Sequence, residues 1–326
     1  MSSEVFVSIV IPTFNRSSYL LKILERLKIN LLSFKNFEII ICDSYSKDNT
    51  LVKINSFKNN NLFLPIRYLN IKKNIHSLKR NIGIKSARGK YIIFLDDDCF
   101  PEKFFVKNYY NLLTRNSNNI YCGTVKYPQE QLKKNFVKYR QSRHFIMKKT
   151  FINKNDFLPA SQIVTMNMSF KKNIFIKNNF FFNENFNSYG FEDYELAFRL
   201  LNNNFKIVKS NPVIYHIDKR SFSMYLEKIK FLGFEGMNYL IKLNLAAAKN
   251  NNFYKLENFF FIKLLLNFKI FKNFLIFLQK ICILLDKQYF YFPFIYKIAI
   301  SFAYLEGCFY RMRYNKNNYK NIYWYK

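Results

Sequence analysis

Four short apolar runs constrain the fold of this chain more than any other feature. Val5–Ile11, Phe37–Cys42, Leu64–Leu69 and Tyr91–Leu95 are five to seven residues long and apolar at nearly consecutive positions. Runs this short suit strands better than packed helices, and strands apolar on both sides belong inside a covered, parallel sheet. Helical spacing fills the intervals: Arg16–Leu32, and His76–Ala87 with Gly89 just beyond it. A further helix over Glu102–Leu113 and a strand over Ile120–Val125 continue the alternation. The pattern predicts an α/β fold, a mostly parallel sheet with flanking helices on both faces. Sheets of this kind bind ligands beyond the carboxyl ends of their strands. Asp43 and Asp96 stand at two such ends, which places two carboxylates on one rim.

The middle of the chain, about 126–220, is less regular. Ile163–Phe170 reads as a strand, Phe191–Asn203 as a helix, and Phe205–Val208 and Val213–Ile217 as two more strands. From Ser221 onward apolar and aromatic residues recur at helical spacing, interrupted by single lysines. This C-terminal region, counted from Arg220, carries 17 basic residues against 5 acidic. It contains no clean membrane span, because the best stretch, Gln288–Tyr310, includes Pro293, Lys297 and Glu306. Three readings stay open: a transmembrane helix, a basic aromatic-rich region lying on a membrane surface, or an ordinary helical bundle or dimer interface.

Charge and cysteine narrow the setting. The chain carries 52 Lys and Arg against 21 Asp and Glu, a net +31. Such a field favours anionic partners, among them nucleic acid, anionic lipid and phosphorylated substrates. Lys, Asn, Ile, Phe and Tyr are abundant together, as an AT-rich genome would produce, so charge alone does not choose the partner. No Cys/His finger or glycine-aromatic RNA-binding motif is visible, and the basic residues are spread along the chain, which argues against nucleic acid. The five cysteines include no CxxC pair. A reduced, cytosolic setting is expected, and MSSEVFVSIV does not read as a secretory signal.

The chemistry concentrates where Tyr91–Leu95 runs into Asp96, Asp97 and Asp98. Three adjacent carboxylates repel one another, so a cluster at a strand end needs a counter-charge, and a divalent ion supplies it. Oxygen ligands suit Mg²⁺ or Mn²⁺, which keep positions open for substrate phosphates. A solvated acidic turn before the next helix is the bland alternative. Upstream, Lys79, Arg80, Lys85, Arg88 and Lys90 form a basic stretch able to meet phosphates or simply to face solvent.

These motifs together resemble the family 2 glycosyltransferases. Ser8–Arg16, with Pro12, Thr13 and Asn15, looks like that family's opening strand. Asp43-Ser44-x-Ser46-x-Asp48-x-Thr50 is similar to its second nucleotide-binding segment, and Arg80-Asn81-x-Gly83 through Asp98 resembles the run into its DxD motif. Gly190-Phe191-Glu192-Asp193-Tyr194-Glu195 resembles its ED motif, which opens a helix. The likeness covers roughly residues 5–218 and implies a GT-A fold, a nucleoside-diphosphate sugar donor and a divalent metal. It implies that Pro12, Thr13 and Asn15 flank the nucleoside, Asp43 accepts from the base, and Arg80 and Asn81 position the nucleotide. Asp96 would face the ribose or sugar, with Asp97 beside it, and Asp98 would ligate metal. His216 is a further candidate ligand. Asp193 would be the general base, with Asn167 and Glu192 as contacts to sugar or acceptor. Tyr45 departs from the pattern, where a small or acidic residue is commoner.

The chain is therefore expected to divide into a GT-A domain, 1–220, and a basic helical region, 221–326. The domain would comprise a nucleotide-binding half, 1–125, and an acceptor half, 126–220. The expected activity is metal-dependent, inverting transfer in the family's manner to a hydroxyl of a glycan or lipid-linked acceptor. A UDP-sugar is the favoured donor, and the place of work is the cytoplasmic face of a membrane, in cell-surface polysaccharide or oligosaccharide synthesis. A nucleotidyltransferase also uses clustered acids and metal, but usually carries a glycine-rich phosphate loop, and none stands near Pro12.

Overall fold

A computed structural model describes residues 6–149, 157–186, 190–287 and 290–313, without the side chains of 144–149. In chain order its elements are β1 (Val7–Thr13), α1 (Ser17–Asn30), β2 (Phe37–Asp43), α2 (Thr50–Asn59), β3 (Ile66–Asn70), α3 (His76–Ser86), β4 (Tyr91–Leu95) and β5 (Cys99–Pro101). Next come α4 (Phe105–Arg115), β6 (Ile120–Lys126), α5 (Asn135–Lys149), β7 (Asn167–Lys171), α6 (Lys172–Lys177), α7 (Glu192–Asn202) and β8 (Ile207–His216). Among the described residues only helices follow: α8 (Phe222–Phe231), α9 (Met237–Leu243), α10 (Leu245–Asn250), α11 (Asn252–Glu257), α12 (Phe260–Leu265), α13 (Lys269–Asp286) and α14 (Pro293–Arg313). A π-helical segment, Leu232–Gly236, joins α8 to α9.

The chain forms two compact units. The first comprises Met1–Pro128, Arg143–Glu184 and Leu196–Asp218. It is built on one eight-stranded sheet in the order β3-β2-β1-β4-β7-β6-β8-β5. β1 pairs in parallel with β2 and β4, and β2 in parallel with β3. Every residue of β1 and β2 is buried, as their near-continuous apolar character requires, and each fully buried Val or Ile contributes about 1.5–3 kcal/mol.

Beyond β4 the sheet becomes mixed. β7 enters antiparallel between β4 and β6. It begins at Asn167, later than the expected Ile163, because Ala160–Gln162 is a turn of 3₁₀ helix. The two strands expected at Phe205–Val208 and Val213–Ile217 are one continuous strand, β8, whose register on β6 slips between Cys122 and Thr124. An unexpected three-residue strand, β5, follows the acid cluster and pairs antiparallel with the end of β8.

The second unit comprises Gln129–Ser142, Asn185–Glu195 and Lys219–Lys326, of which 314–326 lie outside the described residues. Gln129–Ser142 and Asn185–Glu195 fall in the stretch read above as the acceptor half. Their side chains explain the grouping. Phe136 lies 5.1 Å from the rings of Phe222 and Tyr225, and Tyr139 stacks on Tyr296 at 4.7 Å. The Asn244 amide donates to Glu195 at 3.1 Å.

Two glycines let the backbones of this unit close on each other. A Cβ at Gly233 would stand 2.1 Å from the Tyr304 carbonyl oxygen, and one at Gly307 would stand 2.0 Å from that of Lys230. Beside this crossing lies a buried ion pair, Lys230 to Glu306 at 3.0 Å, to which Gln279 donates at 2.8 Å. Glu306, one of the residues that broke the best candidate span, is therefore an interior residue of a helical bundle. No helix among the described residues is long and apolar enough to cross a membrane. Replacing Glu306 by Ala removes the carboxylate facing Lys230 and is expected to destabilise this unit by about 3–5 kcal/mol. The double change Lys230→Met, Glu306→Leu should recover most of that loss in denaturant unfolding, because it removes both buried charges.

Candidate active site

The rim begins where β1 and β2 end side by side, with Thr13 in register with Asp43. Asn15 and Tyr45 both take left-handed backbone, φ 53° each, and turn the chain sharply after each strand. The two loops then lace together. The Asn15 N–H donates to Ser46 Oγ at 2.7 Å, and the Lys47 N–H donates to Asn15 Oδ1 at 2.7 Å. Asp43 is buried and accepts from the Ser46 N–H at 3.0 Å and hydroxyl at 2.5 Å. It also accepts from Tyr68, whose phenol is pushed above its usual range by burial and by that bond. The Tyr45 turn thus gives the departure from the family pattern a structural role: it swings Ser46 back onto Asp43. Its ring is exposed.

α3 lays Lys79, Arg80 and Asn81 along the same unit, all buried. Lys79 Nζ donates to the Thr13 carbonyl at 3.2 Å and to Asn74 Oδ1 at 2.9 Å. Burial lowers its pKa, while Asp97, Asp43 and Asp96 oppose that shift. Arg80 pairs with Asp96 at 2.9 Å, and its guanidinium lies over the rings of Phe94 and Phe182 at 6.0 and 5.5 Å. Asn81 faces a different task. Its amide nitrogen donates to the Phe182 carbonyl and to Glu184, both at 2.8 Å, and its oxygen accepts from the Phe182 N–H at 2.9 Å. Asn81, expected at the nucleotide, holds the 182–184 segment, and its neighbour Lys79 stands against the end of β1.

The three aspartates separate by environment. Asp96 belongs to Arg80. Asp97 accepts from the Thr13 hydroxyl at 2.8 Å and is pushed up to about 7 by burial and by the neighbouring charge of Asp98. Burial would raise Asp98 too, but the hydrogen bond and charge of His216, with help from Arg16, hold it down at about 2. Arg16 reaches Asp98 Oδ2 at 3.2 Å, and His216 Nε2 lies 3.5 Å from Asp98 Oδ1. His216 arrives there because β5 pairs Cys99 with it, and the Ile217 N–H donates to the Asp98 carbonyl at 2.9 Å. On its other side His216 Nδ1 lies 3.4 Å from the Tyr127 hydroxyl.

This donor set fits a divalent cation. Asp98 offers oxygen and His216 nitrogen, 3.5 Å apart at the end of the acid cluster. Among the described residues no three His, Cys, Asp or Glu side chains form a ready cage. A two-ligand site suits Mg²⁺ or Mn²⁺, which keep several waters and take substrate oxygens. Sequence reasoning had Arg16 only as part of the opening motif and Lys79 only as part of a basic stretch. It missed Tyr68 and Tyr127, for which no sequence signal exists.

Asn167, expected as a contact to sugar or acceptor, lies at the start of β7. It is 0% exposed, and its amide donates to the carbonyls of Thr124 and Pro212 at 3.1 Å each while Tyr109 donates to its side-chain oxygen at 2.6 Å. It ties β6, β8 and α4 together. Asn167→Ala should lower stability by about 2–4 kcal/mol, since buried polar partners are left without it, and leave turnover per folded molecule unchanged. Denaturant midpoints and specific activity measured together check this: unchanged stability with lost turnover would return Asn167 to the sugar.

Glu192 and Asp193 open α7 and belong to the second unit; the chain passes between units within this helix. Two left-handed residues precede them, Gly190 at φ 112° and Phe191 at φ 69°. A bulky residue in that conformation is an outlier and occurs mostly at functional turns. Glu192 is buried and accepts from the Gly190 N–H at 3.0 Å, so it fastens the turn. Asp193 is only partly buried.

The family model for glycosyl transferase family 2 matches residues 8–178 of this chain. A dolichyl N-acetyl-α-D-glucosaminyl phosphate 3-β-D-2,3-diacetamido-2,3-dideoxy-β-D-glucuronosyltransferase of Methanococcus voltae is 36% identical over 103 residues, 32% of each chain. The Escherichia coli chondroitin synthase is 33% identical over 123 residues, 37% of this chain and 17% of that protein. The poly(ribitol-phosphate) β-N-acetylglucosaminyltransferase TarP of Staphylococcus aureus is 30% identical over 121 residues, 36% of each chain. The match thus spans no more than 36% of the length of these relatives. Among solved structures, residues 1–349 of S. aureus TarS align with TM-score 0.53 at 15% identity, covering 96% of this chain and 93% of that one. The mannosyltransferase PcManGT of Pyrobaculum calidifontis, in complex with GDP-Man and Mn²⁺, aligns with TM-score 0.54 at 14% identity, covering 74% of this chain and 65% of that one. At these identities the two structures speak for a shared fold.

Proposed function

The chain belongs to glycosyl transferase family 2, and from that premise we propose that it moves a sugar from a nucleoside-diphosphate donor to a hydroxyl of a glycan or lipid-linked acceptor. The observation that carries this reading is the convergence of Asp43, Lys79, Arg80, Asp96–Asp98 and His216 on one rim of a single unit. Carboxylates suit ribose and base donors, while buried cations suit phosphates. PcManGT binds GDP-Man with Mn²⁺, and a TarS structure of the same fold holds UDP-GlcNAc, which supports a nucleotide-sugar donor here. We favour a UDP-sugar.

In this reading Pro12, Thr13 and Asn15 shape the wall beside the nucleoside, and Asp43, held by Ser46 and Tyr68, accepts from the base. Arg80 holds Asp96 toward the ribose or sugar, with Asp97 next to it. Asp98 and His216 are the residues that would hold Mg²⁺ or Mn²⁺. That ion, when bound, neutralises charge on the leaving diphosphate. Asp193 takes the acceptor proton as the hydroxyl oxygen attacks the anomeric carbon from the face opposite the diphosphate, so the product is inverted. Glu192 fixes the turn that presents Asp193. The acceptor would be a membrane-linked glycan in cell-surface polysaccharide or oligosaccharide synthesis, worked on at the cytoplasmic face.

Labelled sugar nucleotides incubated with the purified chain test the reading, after a donor screen by calorimetry. Binding of a nucleoside-diphosphate sugar followed by transfer of its label is the expected result. Release of pyrophosphate from a nucleoside triphosphate, with no sugar-nucleotide binding, would instead make it a nucleotidyltransferase.

A further inference from the structure

α13 is apolar on two opposite sides, but the described residues cover only one. Leu275, Gln279 and Cys282 are its buried positions, at i, i+4 and i+7. On the other side Ile270, Phe274, Phe277 and Leu284 repeat at i, i+4, i+7 and i+14. They are 79%, 51%, 60% and 61% exposed. With 100° per residue these two sets point away from each other. A helix with two apolar stripes needs two apolar neighbours. The segments flanking α13 continue the exposed character. Phe260, Phe261 and Leu264 of α12 are exposed, as are Phe290, Phe292 and Phe294 at the entry to α14. Apolar surface this extensive is unusual on a molecule that stays in water and marks an interaction site.

The face is held in place from within. Arg313, at the end of α14, donates to the carbonyls of Leu266 and Asn267 at 2.9 and 2.5 Å, which pins the link between α12 and α13. Asn135 donates to the Phe290 carbonyl at 3.3 Å. The exposed phenylalanines therefore sit on an ordered scaffold.

Charge selects the occupant. Between Phe259 and Ile300 there are six lysines and one acid. Lys263, Lys269, Lys280, Lys287 and Lys297 are exposed, whereas the acid, Asp286, accepts from the Tyr296 hydroxyl at 2.6 Å. A second copy of the chain would set the same lysines against one another in a two-fold interface. An anionic lipid surface takes phenylalanines into its acyl boundary and lysines at its headgroups, with the lysine stems following the apolar side chains down. We propose that the exposed face of α12, α13 and the Phe290–Phe294 turn docks on a bilayer carrying anionic lipids, lying in its interface. This names the surface for the membrane half of the function proposed above and does not depend on the transfer chemistry.

The test uses the full chain with vesicles of phosphatidylcholine alone or with about 30% phosphatidylglycerol. Co-sedimentation with the anionic vesicles is expected, weakening as salt rises from about 0.1 M to about 1 M and the screening length falls from roughly 10 to 3 Å. Phe274→Asn with Phe277→Asn, or Lys269→Gln with Lys280→Gln, should each reduce partitioning at least ~tenfold. Circular dichroism of these exposed-site variants should match the parent. In the unaltered chain, hydrogen exchange should slow over 259–294 when anionic vesicles are added. Failure to sediment with anionic vesicles, or undiminished binding by the Phe274/Phe277 variant, overturns the proposal. So does light scattering that shows a dimer dissociated by the same variant. Sugar transfer to a water-soluble acceptor is measured in parallel. Vesicle binding without transfer from any donor would overturn the enzymatic reading and leave this one standing, and transfer without vesicle binding would do the reverse.

Discussion

Asp193→Asn is expected to lower turnover by roughly two to four orders of magnitude, the usual contribution of a positioned general base. The substitution keeps the shape of the side chain and removes its capacity to accept a proton. The local build supports the choice of residue. Gly190 and Phe191 hold left-handed backbone just before α7, and a helix start favours a carboxylate through its unpaired N–H groups. Glu192 accepts from the Gly190 N–H at 3.0 Å and is buried, whereas Asp193 is only partly buried. Donor affinity, measured by calorimetry, should be nearly unchanged, because the base acts on the acceptor. Full turnover in this variant would remove Asp193 from the mechanism. Glu192→Gln should instead loosen the turn and show itself in stability.

Asp98→Asn should reduce kcat/KM by roughly 10²–10³, comparable to losing one preorganised electrostatic group in a transition state. The reason is the position of Asp98 between Arg16 at 3.2 Å and His216 at 3.5 Å. Its carboxylate, held at about 2, stays ionised at any working pH and offers a permanent negative charge. Without it, Mn²⁺ affinity measured directly by calorimetry should fall, and excess Mn²⁺ should restore part of the activity. His216→Gln should weaken Mn²⁺ binding less, since one ligand of the pair remains charged. A variant Asp98→Asn with parental activity and parental Mn²⁺ affinity would show that the ion, if used, is held elsewhere.

Several features of the site were readable in advance for a simple reason. A strand that is apolar at nearly every position and then turns acidic marks its own carboxyl end, so Asp43 and Asp96–Asp98 declared both their strands and their rim. The basic stretch before β4 declared cations, although not which would be buried. Lys79 and Arg80 point inward because α3 packs them beside β1 and β4, a fact of helix phase against a sheet. For Asn81 and Asn167 the residue type left the role open, for a chemical reason. An amide serves equally well as a ligand contact and as a staple between backbones, and its type does not say which. Asn167 became a staple when β7 was inserted between β4 and β6, next to carbonyls of Thr124 and Pro212.

The sequence by itself determined the alternation of strands and helices, the parallel core of β1 to β4, the acid rim, and a helical, basic C-terminal part. These follow from local periodicity and from residues adjacent in the chain. Only the tertiary structure decided that His216 stands beside Asp98. That contact spans more than a hundred residues and depends on β5, a strand of three residues too short to show any period. Tertiary structure also decided that Glu306 lies inside a bundle against Lys230, and that one apolar side of α13 is covered while the other faces outward. A helical repeat announces an apolar side but not its neighbour, because burial is a property of what packs against it.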